Sequence, residues 1–373
     1  MKLIATLGAT KVTNKHIYKI ENYEYSEYFS FLALQKHYNI SNEKVYILGT
    51  KKTKETLGNY IQNFNFIKLQ DNNLEEIFQK SVELVDDEDI LDLTQSFRLL
   101  SFGVFLGVNF LNKKLKVFYA QLQKSDCKYS SEECKHNFIP LDKYLQIGSL
   151  AREINTFVSS WYVIENEIEN FFVIHNKLNI ISKKLLVNDV DIKEDLLSAK
   201  KNIKILKKDK FVYLNTHLDI LDKELTKIEL ALLNPKDSIK FFRMSELYFQ
   251  KNLLLQTLTM LFEAISAYLG DIVPKNYKCK KYDKFLTLQD GKYKFRNCVK
   301  NSLRFPKSCK KWWFKNLKDC EKFRENLLKI DIMRNNSAHA FIQGKALEDY
   351  KNEIKNLLLF FKGYINGNDK TYN

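Results

Sequence analysis

Within the run RNNSAHA, Arg334, Asn335 and His339 are the residues whose types and spacing most suggest chemistry. Arginine carries a planar fork of N–H donors that matches phosphate oxygens, and histidine titrates near neutral pH. A fixed cation beside an acid–base group is what a phosphodiester needs when its own neighbouring hydroxyl is the nucleophile. If the run is helical, Asn335 and His339 share a face, with Arg334 about 100° round from Asn335. The chain holds seven arginines and six histidines. A pairing at spacers of four to six residues then arises by chance about one time in three. The weight of the motif therefore depends on its setting.

A second group of candidates lies in two loops of the N-terminal part. LGAT follows the strand-like run 2–7, so Gly8 permits close backbone approach, Ala9 continues the turn and Thr10 offers a hydroxyl. DLTQSFR follows the strand-like run 90–93 and opens a helix. There Thr94 or Ser96 could cap the helix, Gln95 adds an amide, and Arg98 falls in the first turn. A cation is unfavourable at a helix N-terminus, which gives Arg98 a reason to be there if an anion meets it. Neither loop is a GxGxxG or P-loop fingerprint, and no acidic residue ends the second strand, which argues against dinucleotide binding.

These loops need a scaffold. Strand-like runs at 2–7, 44–50, 66–70, 90–93 and 116–122 alternate with helical runs at 27–38, 53–64, 73–85 and 97–111. That alternation predicts a Rossmann-like, doubly wound, mainly parallel sheet, with ligands at the carboxyl ends of its strands. Beyond about residue 140 strand signals fade, and helices are expected over 141–182, 189–208, 211–232, 241–269, 316–340 and 345–365. LLNPKDS (232–238) separates two of them. The reading is an α/β domain over 1–145, a helical connecting region over 146–240 and an all-α domain over 241–373.

The 373 residues are 45% hydrophobic with a net charge of +15, a globular composition that favours an anionic partner. Positive charge concentrates over 274–325, where 17 Lys and Arg face 5 Asp and Glu. Lys310 and Lys311 there are candidates for nucleic-acid backbone contacts, and Trp312 and Trp313 for stacking on bases, although adjacent tryptophans also anchor cores. Six cysteines with no CxxC pair are expected to be free thiols in a reducing cytoplasm, with no metal site. The N-terminus does not read as a signal peptide, and no run is long enough to span a membrane.

MKLIATLGAT, the unit DEDILDLTQSFRLLSFGVFLGVNFL and the following KVFYAQLQ…FIPLDKYLQIGSLAREI resemble the CARF sensor domains of Csm/Csx-type CRISPR-associated proteins. Those carry an Asp–hydrophobic–Thr–His–Gly–Phe–Arg segment after the fourth strand. Here Asp92, Thr94, Phe97 and Arg98 match, while Gln95 and Ser96 replace the histidine and glycine. Such proteins often end in a helical HEPN domain whose ribonuclease motif is Arg, four to six residues, then His, a form that Arg334, Asn335 and His339 fit. The resemblance implies a cytoplasmic, metal-independent single-stranded RNA endoribonuclease of type III CRISPR defence. It implies cyclic oligoadenylate as allosteric activator and no other cofactor. It also implies a homodimer or higher even oligomer, and 2′,3′-cyclic phosphate and 5′-OH products. Two alternatives stay open: a catalytically inactive, ligand-responsive RNA-binding protein, and a sensor that also cleaves its activator.

Overall fold

The structure is a computed structural model. It describes residues 1–10, 14–70, 73–96, 98–111, 113–123, 133–163, 171–208, 214–273, 278–279, 284–285, 291–305, 309, 317–338 and 347–367. The chain forms two compact units, residues 1–150 with 166–172 and residues 151–165 with 173–373.

The first unit is built on an eight-stranded sheet. In chain order the strands are β1 (Leu3–Leu7), β2 (His16–Ile20), β3 (Tyr23–Glu27), β4 (Val45–Thr50), β5 (Asn65–Leu69), β6 (Ile90–Gln95), β7 (Lys116–Leu122) and β8 (Lys135–Pro140). Helices α1 (Ser30–His37), α2 (Lys51–Ile61), α3 (Leu74–Leu84) and α4 (Arg98–Phe110) connect them. The spatial order is β3-β2-β8-β7-β6-β1-β4-β5, and β7, β6, β1, β4 and β5 pair in parallel. β8 runs antiparallel to β7 and parallel to β2, and β2 pairs antiparallel with β3.

All five residues of β1 are buried, as a central parallel strand covered on both faces requires. One face packs Leu3, Ala5, Val45, Ile47 and Ile90 against α1 and α2 residues such as Phe31, Leu34 and Leu57. The other packs Ile4, Leu48, Leu91 and Val117 against Ile77, Leu100, Val104 and Val108 of α3 and α4. Among the parallel strands, β4 and β5 extend the sheet on one side of β1 and β6 and β7 on the other, so the strand order reverses between β1 and β6. That reversal is where such sheets open a crevice.

Two strand features were absent from the sequence reading. Residues 16–27 form the β2–β3 hairpin, and residues 135–140 form β8. In β2 the buried face is His16, Tyr18 and Ile20, while Lys19 is exposed. Two of its three inward side chains, His16 and Tyr18, are polar or aromatic, which hides the alternation. Asp89, just before β6, is fully buried and accepts the Lys2 backbone N–H at 2.6 Å and the Asp86 N–H at 2.8 Å.

The second unit is helical: the later part of α5 (Asp142–Ser160), then α6 (Phe172–Leu186), α7 (Lys193–Lys208), α8 (Asn215–Leu232), α9 (Asp237–Gln250), α10 (Leu254–Ile272), α11 (Lys292–Leu303), α12 (Cys320–Ala338) and α13 (Leu347–Gly367). A two-residue hairpin pair, β9 (Lys278–Cys279) with β10 (Lys284–Phe285), precedes α11. The single helix expected over 241–269 is two, because the chain turns at Asn252 with φ of 58°. Asparagine is among the residues that enter this left-handed region most readily. α9 to α13 share one core, including Phe242, Phe262, Phe295, Phe323, Ile330 and Phe361.

In the preceding helices Trp161 is fully buried and donates its indole N–H to Glu224 at 2.9 Å, while Lys251 ion-pairs with the same carboxylate at 2.6 Å. His175 of α6 meets the buried carboxylate of Glu153 at 2.8 Å. The expectation of free thiols is overturned. Cys309 and Cys320 form a disulfide, Cys134 and Cys298 are also disulfide-bonded, and no cysteine among the described residues is free. Spacing alone did not reveal this, because pairing depends on which Cα atoms folding brings within about 7 Å.

Candidate functional site

The crevice at the strand-order reversal holds a cavity of about 400 Å³. Gly8 and Thr10 line it from the loop after β1, and Thr94, Gln95 and Ser96 from the end of β6. The two loops picked out in the sequence, 87 residues apart from Leu7 to Thr94, thus meet around one space. Ala9 lies between two lining residues, and Arg98 is the exposed first residue of α4. Neither lines the cavity.

The local geometry explains the convergence. The register between β1 and β6 shifts between Ala5 and Leu7, a bulge that re-aims the end of β1 next to the cavity. The Gly8 N–H then donates to the Gln95 carbonyl at 2.6 Å, tying the two loops together. Thr94 does not act as a helix cap. Its hydroxyl donates to Asp92 at 2.5 Å and accepts the Ala120 N–H of β7 at 2.9 Å. Ser96 meets the hydroxyl of Ser101 on α4, which donates to the Leu93 carbonyl at 2.8 Å.

Below the lining lies a buried polar network. The Asp92 carboxylate, 1% exposed, accepts the Ser30 hydroxyl at 2.5 Å and both the hydroxyl and the backbone N–H of Thr94. Burial pushes its acid up to about 6, and the hydrogen bonds from Ser30 and Thr94 offset only part of that cost. Gln95, which stands where the CARF pattern has histidine, accepts the Ser30 N–H at 3.1 Å and donates to the Tyr18 hydroxyl at 3.1 Å. Tyr18 stacks on His136 with ring centroids 5.0 Å apart.

Sequence reasoning missed part of this cavity. His136 of β8, Phe29 before α1, and Tyr119, Ala120 and Leu122 of β7 also line it. Burial, with the nearby His16, pushes His136 down to about 4, against a hydrogen bond to the Ala120 backbone, so its imidazole is neutral at pH 7. The signal that could have revealed it is HIYKI paired with KHNFIP, two short segments that each carry a histidine and that meet as β2 and β8.

The second candidate group sits in the helical unit. Arg334 lies four residues before the end of α12 and is partly exposed, and Asn335 next to it is exposed. The Arg334 guanidinium pairs with Asp331 at 3.3 Å and lies 4.2 Å from the centroid of the Phe262 ring on α10. Asp331, one helical turn before it, also holds Arg304 at 2.6 Å. The carboxylate and the ring fix the fork in place, and Asn335 faces solvent beside it. His339, Lys310, Lys311, Trp312 and Trp313 lie outside the described residues.

Among the solved structures similar to the chain is Enterococcus italicus Csm6 bound to cyclic hexa-2′-fluoro-hexa-dAMP, with 13% identity, 97% of this chain and 92% of that chain covered, and a TM-score of 0.42. No family model matches the chain, and no curated protein matches it. No helix among the described residues is long and apolar enough to cross a membrane.

Proposed function

We propose that the chain is a CARF–HEPN protein of type III CRISPR defence: a metal-independent, single-stranded RNA endoribonuclease that cyclic oligoadenylate switches on. The observation that carries this reading is the meeting of Gly8, Thr10, Thr94, Gln95 and Ser96 around one cavity at the strand-order reversal, in a chain whose α12 ends in RNNSA, the residues that precede His339 in the sequence. Domain limits of 1–145, 146–240 and 241–373 belong to the same reading.

In the sensor half, the Gly8 turn brings backbone close to a phosphate or sugar, and the hydroxyls of Thr10 and Ser96 supply donors and acceptors. Arg98, at the mouth of the same loop, is free to swing toward an anionic ligand. At about 400 Å³ the cavity is at the small end of ligand sites. It takes a segment of a macrocycle, so the remainder of the ring falls to a second copy related by two-fold symmetry. His136, neutral at pH 7 with an acid constant near 4, is a weak base, which favours binding of the ring over its cleavage.

In the helical half, RNA brings its own nucleophile, the 2′-OH. His339 moves the proton to or from that oxygen or the departing 5′-oxygen. Arg334 puts its fork on the non-bridging oxygens, where negative charge grows in the transition state. Asn335 orients the phosphate or the imidazole. Two copies of the motif about a two-fold axis supply two histidines and two arginines around one phosphodiester. Lys310, Lys311, Trp312 and Trp313 hold flanking RNA.

The test is cleavage of a labelled single-stranded RNA in EDTA, with cyclic tri-, tetra- or hexa-adenylate added separately. Cleavage by the wild type that needs one ring and is lost in His339→Ala supports the reading. A protein that binds a ring but cuts no RNA would make it a regulatory, RNA-binding protein instead.

A further inference from the structure

Beside Arg334 lies a second cation that the ribonuclease motif does not include. Lys300 of α11 is 5% exposed, and its ammonium sits 3.9 Å from the centroid of Phe262, the same ring that carries Arg334 at 4.2 Å. Arg304, the residue that caps the C-terminal end of α11, lies 5.9 Å from that ring and pairs with Asp331, the carboxylate that also holds Arg334. Three cationic side chains thus converge on one phenyl ring, and two of them, Arg304 and Arg334, share one ion-paired acid.

The charges around Lys300 do not balance. From α10 it faces Glu263, from the C-cap of its own helix Arg304, and from α12 both Asp331 and Arg334. Among the described residues no carboxylate forms an ion pair with its ammonium, and the Arg304 Nε is buried without a hydrogen-bond partner. A buried ammonium between two guanidinium groups is costly, and proteins normally pair such a group or lose its proton. Burial does push this lysine down, to about 8, with Arg304 and Arg334 adding to the effect and Glu263 and Asp331 opposing it. An apolar residue would fill the same core position at α11 without that penalty.

An entering anion resolves the imbalance. We infer that Lys300, Arg304 and Arg334 form one phosphate-binding site, in which Lys300 is the buried cation that meets an RNA phosphodiester. This rests on the ribonuclease reading of Arg334 and extends its contact with RNA from one helix to two. The site explains why a lysine is kept inside the helical core, and it gives RNA binding a protonic signature. A phosphate placed against the cluster stabilises the ammonium, so binding draws in a proton wherever the free protein is partly neutral there.

The experiment is calorimetric titration of the full-length protein with a 2′-O-methyl RNA oligonucleotide, whose blocked nucleophile keeps it intact. It is run at pH 8 in two buffers of different ionisation enthalpy. The wild type is expected to take up about half a proton per site, since roughly half the Lys300 population is neutral at its midpoint. Lys300→Met is expected to bind about tenfold or more weakly, with no proton uptake. Lys300→Arg, charged at all these pH values, restores affinity but not the uptake. Equal affinity and equal uptake in wild type and Lys300→Met overturn the inference while leaving the ribonuclease reading standing. A wild type that binds no RNA at all removes both, and RNA cleavage lost in His339→Ala but unchanged in Lys300→Met removes only the inference.

Discussion

Asp92 offers a quantitative test of the cavity floor. Its carboxyl is fully buried, and its acid constant rises from 3.8 to about 6. At roughly 1.4 kcal/mol per pH unit that rise is worth about 3 kcal/mol. The sign follows from proton counts. Between pH 4 and 6 the folded protein binds more protons at this site than the unfolded chain. The stability it contributes is therefore present below pH 4 and lost as pH rises through 6. At pH 7 the native state holds a buried anion whose cost the Ser30 and Thr94 hydrogen bonds only partly offset. Asp92→Asn removes the charge and keeps an oxygen for Thr94, while its amide can donate to the Ser30 hydroxyl. The variant is expected to stabilise the α/β unit by about 1–3 kcal/mol at pH 7 and by close to nothing at pH 4. All three tryptophans, 161, 312 and 313, belong to the helical unit, so fluorescence would report the wrong half. Hydrogen exchange of the β6 amides, corrected for intrinsic rates and compared across that pH range, reads the right one. A variant destabilised equally at pH 4 and pH 7 would refute the argument, because the cost would then be lost packing and not charge.

Other consequences are as direct. Lys300→Met is expected to raise the stability of the helical unit at pH 7 by up to about 3 kcal/mol, because the lysine falls from 10.5 to about 8 on folding. The wild type should recover that difference as pH rises from 8 to 10.5, which thermal melts at pH 7 and pH 10 would show. Breaking the Cys309–Cys320 disulfide with Cys320→Ser frees a closed loop of about a dozen residues, and the chain-entropy estimate is a loss of roughly 3 kcal/mol from α12. Urea melts followed by tryptophan fluorescence would read it. Arg98→Ala is expected to raise the cyclic oligoadenylate concentration needed for half-maximal RNA cleavage by tenfold or more, measured as an activation curve.

The parallel core was legible because buried strands such as LIATL and VYILGT are continuous apolar runs cut off by glycine or threonine. The two ligand loops followed from them, since each ends a strand on either side of the reversal. The β2–β3 hairpin and β8 were not legible: HIYKI buries His16 and Tyr18 and turns Lys19 outward, so hydropathy alone does not show which face is inside. Missing β8 meant missing His136, and with it one wall of the cavity. Lys300 read as one more lysine in a basic stretch, because nothing in the sequence distinguishes a lysine on the inner face of α11 from its solvated neighbours. The break at Asn252 had no proline or glycine to announce it.

The central claim is that this chain cuts RNA with Arg334 and His339 when a cyclic oligoadenylate occupies the α/β cavity. The most direct measurement is the rate of single-stranded RNA cleavage in EDTA with and without each ring, for wild type, Arg334→Ala and His339→Ala, with the product ends identified. The account predicts cleavage dependent on one ring, abolished in both variants, leaving 2′,3′-cyclic phosphate and 5′-OH ends. Ring-dependent cleavage that survives both substitutions, or that leaves a 5′-phosphate, would contradict it.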